Sequence, residues 1–185
     1  GIMVQMPYTF LRKVAPAPLP APGAYGVGLV FLPHDAAARA AVVDRFGAIV
    51  AEEGQSLLGW RDVPTDDSLV GPSAVAVEPR FAQIFIGRDA ALTGADAAER
   101  FERKLYVIRK RIENAVDGFD LDPAQKKLFY VCSLSCRTLV YKGMLNADQL
   151  GPMFPDLADP DFESALALVH QRFSTNTFPA WPLAH

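Results

Sequence analysis

Residues 96–116 predict a long amphipathic helix, and this helix restricts the possible folds more than any other segment. Its apolar residues recur at spacings of 4, 3, 4 and 4, which follow one face of an α-helix: Phe101, Leu105, Ile108, Ile112 and Val116. Charged residues cover the other faces, with glutamates interleaved among the basic side chains. We interpret this mixed face as solvated and not as a surface for nucleic acid. The apolar face requires a neighbouring layer to pack against.

Several shorter segments have the composition of β-strands. Residues 25–32 predict a buried strand because they are apolar and are bounded by Pro and Gly. A second helix follows, with Asp35 as its N-cap and Gly54 at its end. Further strands are predicted at residues 56–63 and 81–87, and one or two strands at residues 128–143, with a bend near residues 133–135.

The remaining segments complete the predicted fold class. We expect an edge strand at residues 2–10, a Pro-Ala loop at 14–23, a short helix or irregular turn at 146–157, and a strongly apolar buried strand at 164–173. Strands outnumber helices, and the two long helices are separated by strands. The sequence therefore predicts a layered α+β architecture with a mostly antiparallel sheet.

The composition argues against several classes of protein. The chain has 185 residues, 50% of them apolar, which is typical of one soluble globular domain. The 18 Lys and Arg against 21 Asp and Glu give a net charge of −3, so we expect no nucleic-acid partner and no membrane partner. Residues 14–33 lack formal charges, but the prolines at 16, 18, 20 and 22 prevent a membrane-spanning helix. No secretory signal is visible, and we expect a cytoplasmic protein.

The two cysteines, Cys132 and Cys136, are predicted to be structural thiols. On one strand their Cα atoms would lie about 13 Å apart, beyond the reach of a disulfide. A metal site would need further soft ligands, and no CxxC pair or histidine cluster accompanies the cysteines. We therefore predict neither a disulfide nor a metal site in this chain.

A dense polar cluster, HQRFSTNT at residues 170–177, follows the apolar run at residues 165–169. Motifs for dinucleotides, P-loops, zincins and hydrolase elbows do not occur elsewhere. Strand alternation places His170 and Arg172 on one side, with their Cα atoms about 6.6 Å apart. A guanidinium there could bind a carboxylate bidentately, with nearby hydroxyls completing the hydrogen bonding. Alternatively, Arg172 pairs with a buried Asp or Glu and His170 satisfies a backbone carbonyl.

Five stretches along the chain carry a family resemblance. They are FESALALVHQRFSTNTFPAWPLAH at 162–185, GVGLVFLP at 26–33, GWRDVP at 59–64, LYVIRKRIE at 105–113 and CSLSCRTLVYKGM at 132–144. Together they resemble the class II glutamine amidotransferase domain of the glutamate synthase large subunit. The resemblance runs in order through the chain, so residues 1–185 are interpreted as part of one such domain.

The resemblance implies a fold, a reaction and a set of substrate-binding residues. The fold is the αββα sandwich of N-terminal nucleophile hydrolases, truncated at both ends. In this family an N-terminal cysteine attacks the side-chain amide of glutamine, and the ammonia released joins 2-oxoglutarate in a synthase domain. Arg172 corresponds to the arginine that binds the α-carboxylate of glutamine and Thr175 to the threonine beside it, with Phe173 and Asn176 as neighbours.

The resemblance also implies partners and missing parts. Glutamine, glutamate and the synthase domain of the parent chain are the expected partners, with a possible homo-oligomer through open sheet edges. No cofactor is expected in this chain, whereas FMN and an iron-sulfur cluster are expected in the parent's other domains. The family's nucleophilic cysteine is expected upstream of Gly1 and its oxyanion-hole Asn-Gly pair beyond His185. No catalytic residue is therefore assigned here, and we expect the isolated chain to be inactive.

Two alternatives remain open at this point. The first is a non-catalytic binding or scaffold module that has the same fold. The second is another class II amidotransferase, such as one that feeds purine or amino-sugar synthesis.

Overall fold

Two antiparallel sheets organise residues 1–171 and 178–183, which are the residues that the computed structural model describes. The larger sheet has the spatial order β3 (Ser56–Asp62), β4 (Arg80–Gly87), β2 (Tyr25–Leu32) and β5 (Tyr130–Val131). The smaller sheet has the order β6 (Thr138–Tyr141), β1 (Ile2–Gln5) and β7 (Ala167–Val169). All neighbouring strands in both sheets run antiparallel.

Helices and turns connect the strands. The helices are α1 (Tyr8–Val14), α2 (Ala36–Glu52), α3 (Pro72–Val75), α4 (Ala97–Asp117), α5 (Pro123–Lys127) and α6 (Ala147–Met153), and two 3₁₀ turns span Pro155–Ala158 and Trp181–Leu183. The Asp35 carboxylate caps α2 by accepting from the Ala38 N–H at 2.7 Å. Gly54 follows α2 with a φ of 74°, a left-handed conformation that favours glycine.

Two apolar clusters hold three layers together. The first lies between the sheets, where Val4 and Leu139 of the smaller sheet meet Leu29 and Phe85 of the larger one. The second lies between the other face of the larger sheet and the helices α2 and α4. Because both faces of the larger sheet are covered, all eight residues of β2 are buried.

The close approach of chain segments at β2 requires glycine. A Cβ at Gly28 would lie 2.3 Å from the carbonyl oxygen of Ser133, closer than any side chain tolerates. The chain at residues 132–135 runs along β2, with the Val27 N–H donating to the Ser135 carbonyl at 3.0 Å. The glycines of β2 therefore make room for the segment that links the two sheets.

The structure confirms the layered α+β prediction and most of its elements. β2 has the predicted bounds, α2 begins at its predicted cap, and the apolar stripe of α4 is fully buried. The strands β3 and β4 also match their predictions within a residue. Residues 128–143 contain two strands, and these strands belong to different sheets.

The edge strand predicted at residues 2–10 is wrong in its place within the sheet and in its length, since β1 ends at Gln5. β1 is the central strand of its sheet, because β6 and β7 pair with it on both sides. The chain then turns at Pro7, which is the N-cap residue of α1. The Pro7 carbonyl accepts the Leu11 N–H at 2.9 Å, and at a helix start the missing proline donor costs nothing.

The predicted buried strand at residues 164–173 is also wrong within the described residues. β7 covers only Ala167–Val169, and its three residues are exposed. Leu168 is 60% exposed and Val169 is 63% exposed, and β1 is the one partner of β7 among the described strands. An apolar run therefore forms an uncovered edge strand here.

The two cysteines are free thiols, as predicted, but they do not share a strand. Cys132 follows β5 of the larger sheet, and Cys136 precedes β6 of the smaller one. The Cα separation of about 13 Å expected along one strand therefore does not apply to these cysteines.

The described residues contain neither a membrane-spanning helix nor a cluster of metal-ligating side chains. None of the helices there is long and apolar enough to cross a membrane. No group of three or more His, Cys, Asp or Glu side chains is arranged there to hold a metal ion.

Candidate functional site

The four predicted substrate-binding residues, Arg172, Phe173, Thr175 and Asn176, lie outside the described residues. The described chain resumes at Phe178, so the structure defines both flanks of this segment, which we call the polar segment (residues 172–177). The flanks show how the fold holds the two ends of the predicted site.

The incoming flank is held by β-sheet pairing. Val169 lies opposite Ile2 in the antiparallel pairing of β7 with β1. The pairing continues at His170, whose carbonyl accepts from the Gly1 nitrogen at 2.7 Å and whose N–H donates to the Gly1 carbonyl at 2.9 Å. The backbone of His170, two positions before the polar segment, is therefore fixed to the residue that precedes the central strand.

The outgoing flank is held by Trp181, which is only 2% exposed. Its indole N–H donates to the Ala74 carbonyl at 3.0 Å, and its ring packs edge-on against Phe81 with centroids 5.4 Å apart. The backbone of Gly143 lies against the same ring, where a Cβ would come within 2.3 Å of it. A buried tryptophan with a satisfied donor is a strong anchor for this end.

Lys142 reaches the same flank from the end of β6. Its Nζ donates to the Pro182 carbonyl at 2.8 Å and lies 4.3 Å from the centroid of the Tyr130 ring. The residue is 5% exposed, and burial lowers the pKa of its ammonium group, an effect that the charge of Arg109 reinforces.

A buried polar network ties the two sheets together near this region. Arg61 of β3 binds the Asp156 carboxylate bidentately, with both N–O distances at 2.7 Å. The Tyr141 hydroxyl of β6 donates to Asp156 at 2.7 Å and accepts from the Gln83 amide of β4 at 2.8 Å. Burial and then the Asp156 charge raise the pKa of Tyr141 well above its usual value.

This network bears on the alternative role predicted for Arg172. Asp156, 4% exposed, is the one acidic side chain that is buried among residues 1–171 and 178–183. Its carboxylate already binds the guanidinium of Arg61 through two hydrogen bonds. Oε2 of Glu78 is also buried, without a hydrogen-bond partner among the described residues, so the pairing of Asp156 with Arg61 does not decide between the two roles predicted for Arg172.

Neither cysteine has the environment of an activated nucleophile. Burial raises the pKa of Cys132 far above its usual value, although Lys142 opposes the shift. Burial, reinforced by Glu102, raises the pKa of Cys136 to about 12. Both thiols are protonated at neutral pH, and a thiolate is the reactive form.

The side chains that flank the polar segment were not predicted from the sequence. For Trp181, the available signal for a core anchor was a large aromatic side chain directly before a proline. Lys142, in the run LVYKGM, had the signal of a single cation among apolar residues. The Arg61–Asp156 pair joins residues far apart in the chain, so no local pattern could reveal it.

One known protein family matches the chain over its whole length. The family described as Glutamine amidotransferases class-II matches residues 1–185. The NADPH glutamate synthase large chain of Bacillus subtilis (strain 168) is 43% identical over 188 residues, which cover 100% of this chain. The corresponding large chain of Azospirillum brasilense is 42% identical over 192 residues, and the NADH glutamate synthase of Schizosaccharomyces pombe is 39% identical over 189 residues, each again with 100% of this chain covered.

The relatives are much longer than this chain. The aligned region is 12% of the Bacillus subtilis protein, 12% of the Azospirillum brasilense protein and 9% of the Schizosaccharomyces pombe protein. The similarity therefore concerns one part of each relative.

Proposed function

The chain belongs to the class II glutamine amidotransferases, and we propose that it forms part of the glutaminase domain of a glutamate synthase. The domain hydrolyses glutamine to glutamate and ammonia, and the synthase part of the same protein adds the ammonia to 2-oxoglutarate. The observation that carries this proposal is the identity of 39% to 43% with glutamate synthases along the full chain. It favours glutamate synthase over amidotransferases of purine or amino-sugar synthesis.

In this proposal the polar segment binds the amino-acid end of glutamine. Arg172 binds the α-carboxylate with its planar fork of donors, and Thr175 adds a hydroxyl beside it. Phe173 and Asn176 lie next to these two residues in the sequence and complete the pocket. One observation supports the assignment: both flanks of the segment are anchored, one by the pairing of His170 with Gly1 and the other by the buried Trp181.

The nucleophile comes from another part of the polypeptide in this proposal. Support comes from the two thiols of this chain, because burial raises the pKa of both and neither is available as a thiolate. The isolated chain should therefore bind glutamine without hydrolysing it.

The proposal extends to the cofactors of the synthase reaction and to the location of the protein in the cell. FMN and an iron-sulfur cluster would be held by other parts of the polypeptide and would serve the synthase reaction. We also propose a cytoplasmic location.

The test is an ammonia-release assay with glutamine on the complete natural polypeptide and its Arg172→Ala variant. Loss of a buried charge-assisted pair should weaken glutamine binding by roughly 2–4 kcal/mol, which raises KM by about 30-fold to 1000-fold. Arg39→Ala is the matched control, because the Arg39 guanidinium binds only the carbonyls of Pro33 and His34 within the described residues. An Arg172→Ala variant with an unchanged KM would contradict the proposal.

A further inference from the structure

A cavity of about 410 Å³ lies between α5, the loop that joins α3 to β4, and the 3₁₀ turn at Trp181–Leu183. Most of the described residues that line it are apolar, among them Val77, Leu128 and Trp181. Its size and its apolar walls with a few polar groups are typical of sites that bind small molecules. The proposed function assigns no role to this cavity.

Two walls of the cavity are held by contacts within the protein. The indole N–H of Trp181 donates to the Ala74 carbonyl at 3.0 Å, and Oε1 of Gln125 accepts from the Asp35 N–H at 2.9 Å. Because neither contact involves a ligand, the cavity is a preformed feature of the fold.

Glu78, which also lines the cavity, carries a carboxylate that the described residues do not satisfy. Its Oε2 is buried and has no hydrogen-bond partner among them. The neighbouring His34 donates from Nε2 to the backbone carbonyl of Glu78, and so it does not bind the carboxylate. Burial raises the pKa of Glu78 to about 7, and the negative charge of Asp67 reinforces this effect. A buried acid without a partner is costly, and stability alone does not account for it.

The chemistry of the Glu78 carboxylate defines the partner that would satisfy it. The partner must bring both a positive charge and a hydrogen-bond donor, and an ammonium group brings both. A divalent metal ion fits poorly, because it needs several oxygen ligands and the described residues hold no group of three or more metal-ligating side chains. Lys127 lines the cavity too, but its side chain is exposed, so water and salt screen its charge.

We propose that this cavity binds a small primary ammonium compound, with the ammonium group on the Glu78 carboxylate and an apolar body against Val77, Leu128 and Trp181. The inference goes beyond the proposed function and does not depend on it. The bound ammonium group offsets the cost of burying the carboxylate, so the ligand binds the ionised form of Glu78.

The experiment is a calorimetric titration of the complete natural polypeptide at pH 8 with benzylamine, and with benzyl alcohol as a neutral probe of the same shape. Benzylamine should bind at least about tenfold more tightly than benzyl alcohol, since only the amine makes a charge-assisted hydrogen bond. Glu78→Gln should weaken benzylamine binding by at least about tenfold and leave the binding of benzyl alcohol unchanged.

Glu99→Gln is the matched control. The Glu99 carboxylate is 55% exposed and pairs with Arg137 at the surface, at 2.6 Å. The same change of Glu to Gln at this position should leave the affinities for both probes unchanged.

The pH dependence of binding is a second readout. With a pKa of about 7, the ionised fraction of Glu78 rises about tenfold between pH 6 and pH 8. The affinity for benzylamine should rise by the same factor, and the rise should be absent for benzyl alcohol and in Glu78→Gln. His34, Asp67 and Lys127 are unchanged in that variant, so a rise that survives in it would belong to one of them and would overturn the inference.

Thermal unfolding shows whether the protein itself supplies a cationic partner for Glu78. Without ligand, Glu78→Gln should leave Tm at pH 8 unchanged or raise it, because the change removes an uncompensated buried charge. A marked fall in Tm would reveal an ion pair within the protein and would overturn the inference. Equal affinities for the two probes, or benzylamine binding that is unchanged in Glu78→Gln, would do the same.

Discussion

Removing the Asp156 carboxylate should be the most damaging single polar change in this fold. Asp156 accepts two hydrogen bonds from Arg61 and one from Tyr141, all at 2.7 Å, and its side chain is 4% exposed. The change Asp156→Asn removes the charge and leaves the Arg61 guanidinium, only 13% exposed, without its anionic partner. An uncompensated buried charge of this kind costs about 3–5 kcal/mol of unfolding free energy.

The expected cost can be converted to a melting temperature and measured. For a chain of this size, 1 kcal/mol corresponds to roughly 2–4 °C, so Tm should fall by roughly 6–20 °C. Urea unfolding followed by tryptophan fluorescence gives the free energy directly, because Trp181 is buried beside the same core.

Two further variants make this prediction specific. In Arg61→Met/Asp156→Leu both charges are removed together, and much of the lost stability should return because no unpaired charge remains. Asp159→Asn is the control, since that acid pairs with the exposed Lys13 at the surface and should leave Tm unchanged. A loss below about 1 kcal/mol for Asp156→Asn would refute the view that this network joins the two sheets.

Three other predictions follow from burial and exposure. Burial raises the pKa of Glu78 to about 7, an effect that Asp67 reinforces, so the folded state binds the proton more tightly than the unfolded state. The free energy of unfolding should therefore decrease as the pH rises from about 4.5 to 7. In unfolding titrations, Glu78→Gln should remove this dependence on pH. An increase of the free energy of unfolding caused by Glu78 over the same pH range would contradict this prediction. The buried Cys136 should react with a thiol reagent far more slowly in the folded chain than in urea, and fast labelling of Cys136 in the native state would show that its burial is wrong. The open edge of β7 should promote association of the isolated chain, and Leu168→Lys should reduce the sedimentation-detected oligomer; a chain that stays monomeric at high concentration would count against it.

Long periodic segments could be predicted from the sequence because their pattern reflects one buried face. The stripe of α4 and the uniform apolar character of β2 each indicate a surface that the fold must cover. The cap of α2 was predictable for a different reason, since Asp35 and Gly54 act within one turn of the chain.

Short strands could not be placed because their environment depends on distant partners. The run that includes β7 is as apolar as a buried strand, but only its pairing with β1 shows that nothing in the described chain covers it. β1 became central through pairing with strands more than 130 residues away, which no local pattern encodes. The contacts of Lys142 with Pro182 and of Arg61 with Asp156 also join residues far apart in sequence, separated by 40 and 95 positions.

The predicted site was accessible from the sequence through its family resemblance alone. Strand alternation suggested a guanidinium beside hydroxyls, and a structural ion pair explained the same pattern equally well. Arg172 itself lies outside the described residues, so the choice between these two interpretations stays a prediction.

A crystal structure of the complete natural polypeptide with bound glutamate tests the central proposal most directly. The account predicts that both terminal nitrogens of the Arg172 guanidinium lie within about 3 Å of the α-carboxylate oxygens of glutamate, the distance of a bidentate charge-assisted pair. An Arg172 guanidinium bound instead to an acidic side chain of the protein, with the glutamate carboxylate held elsewhere, would contradict it.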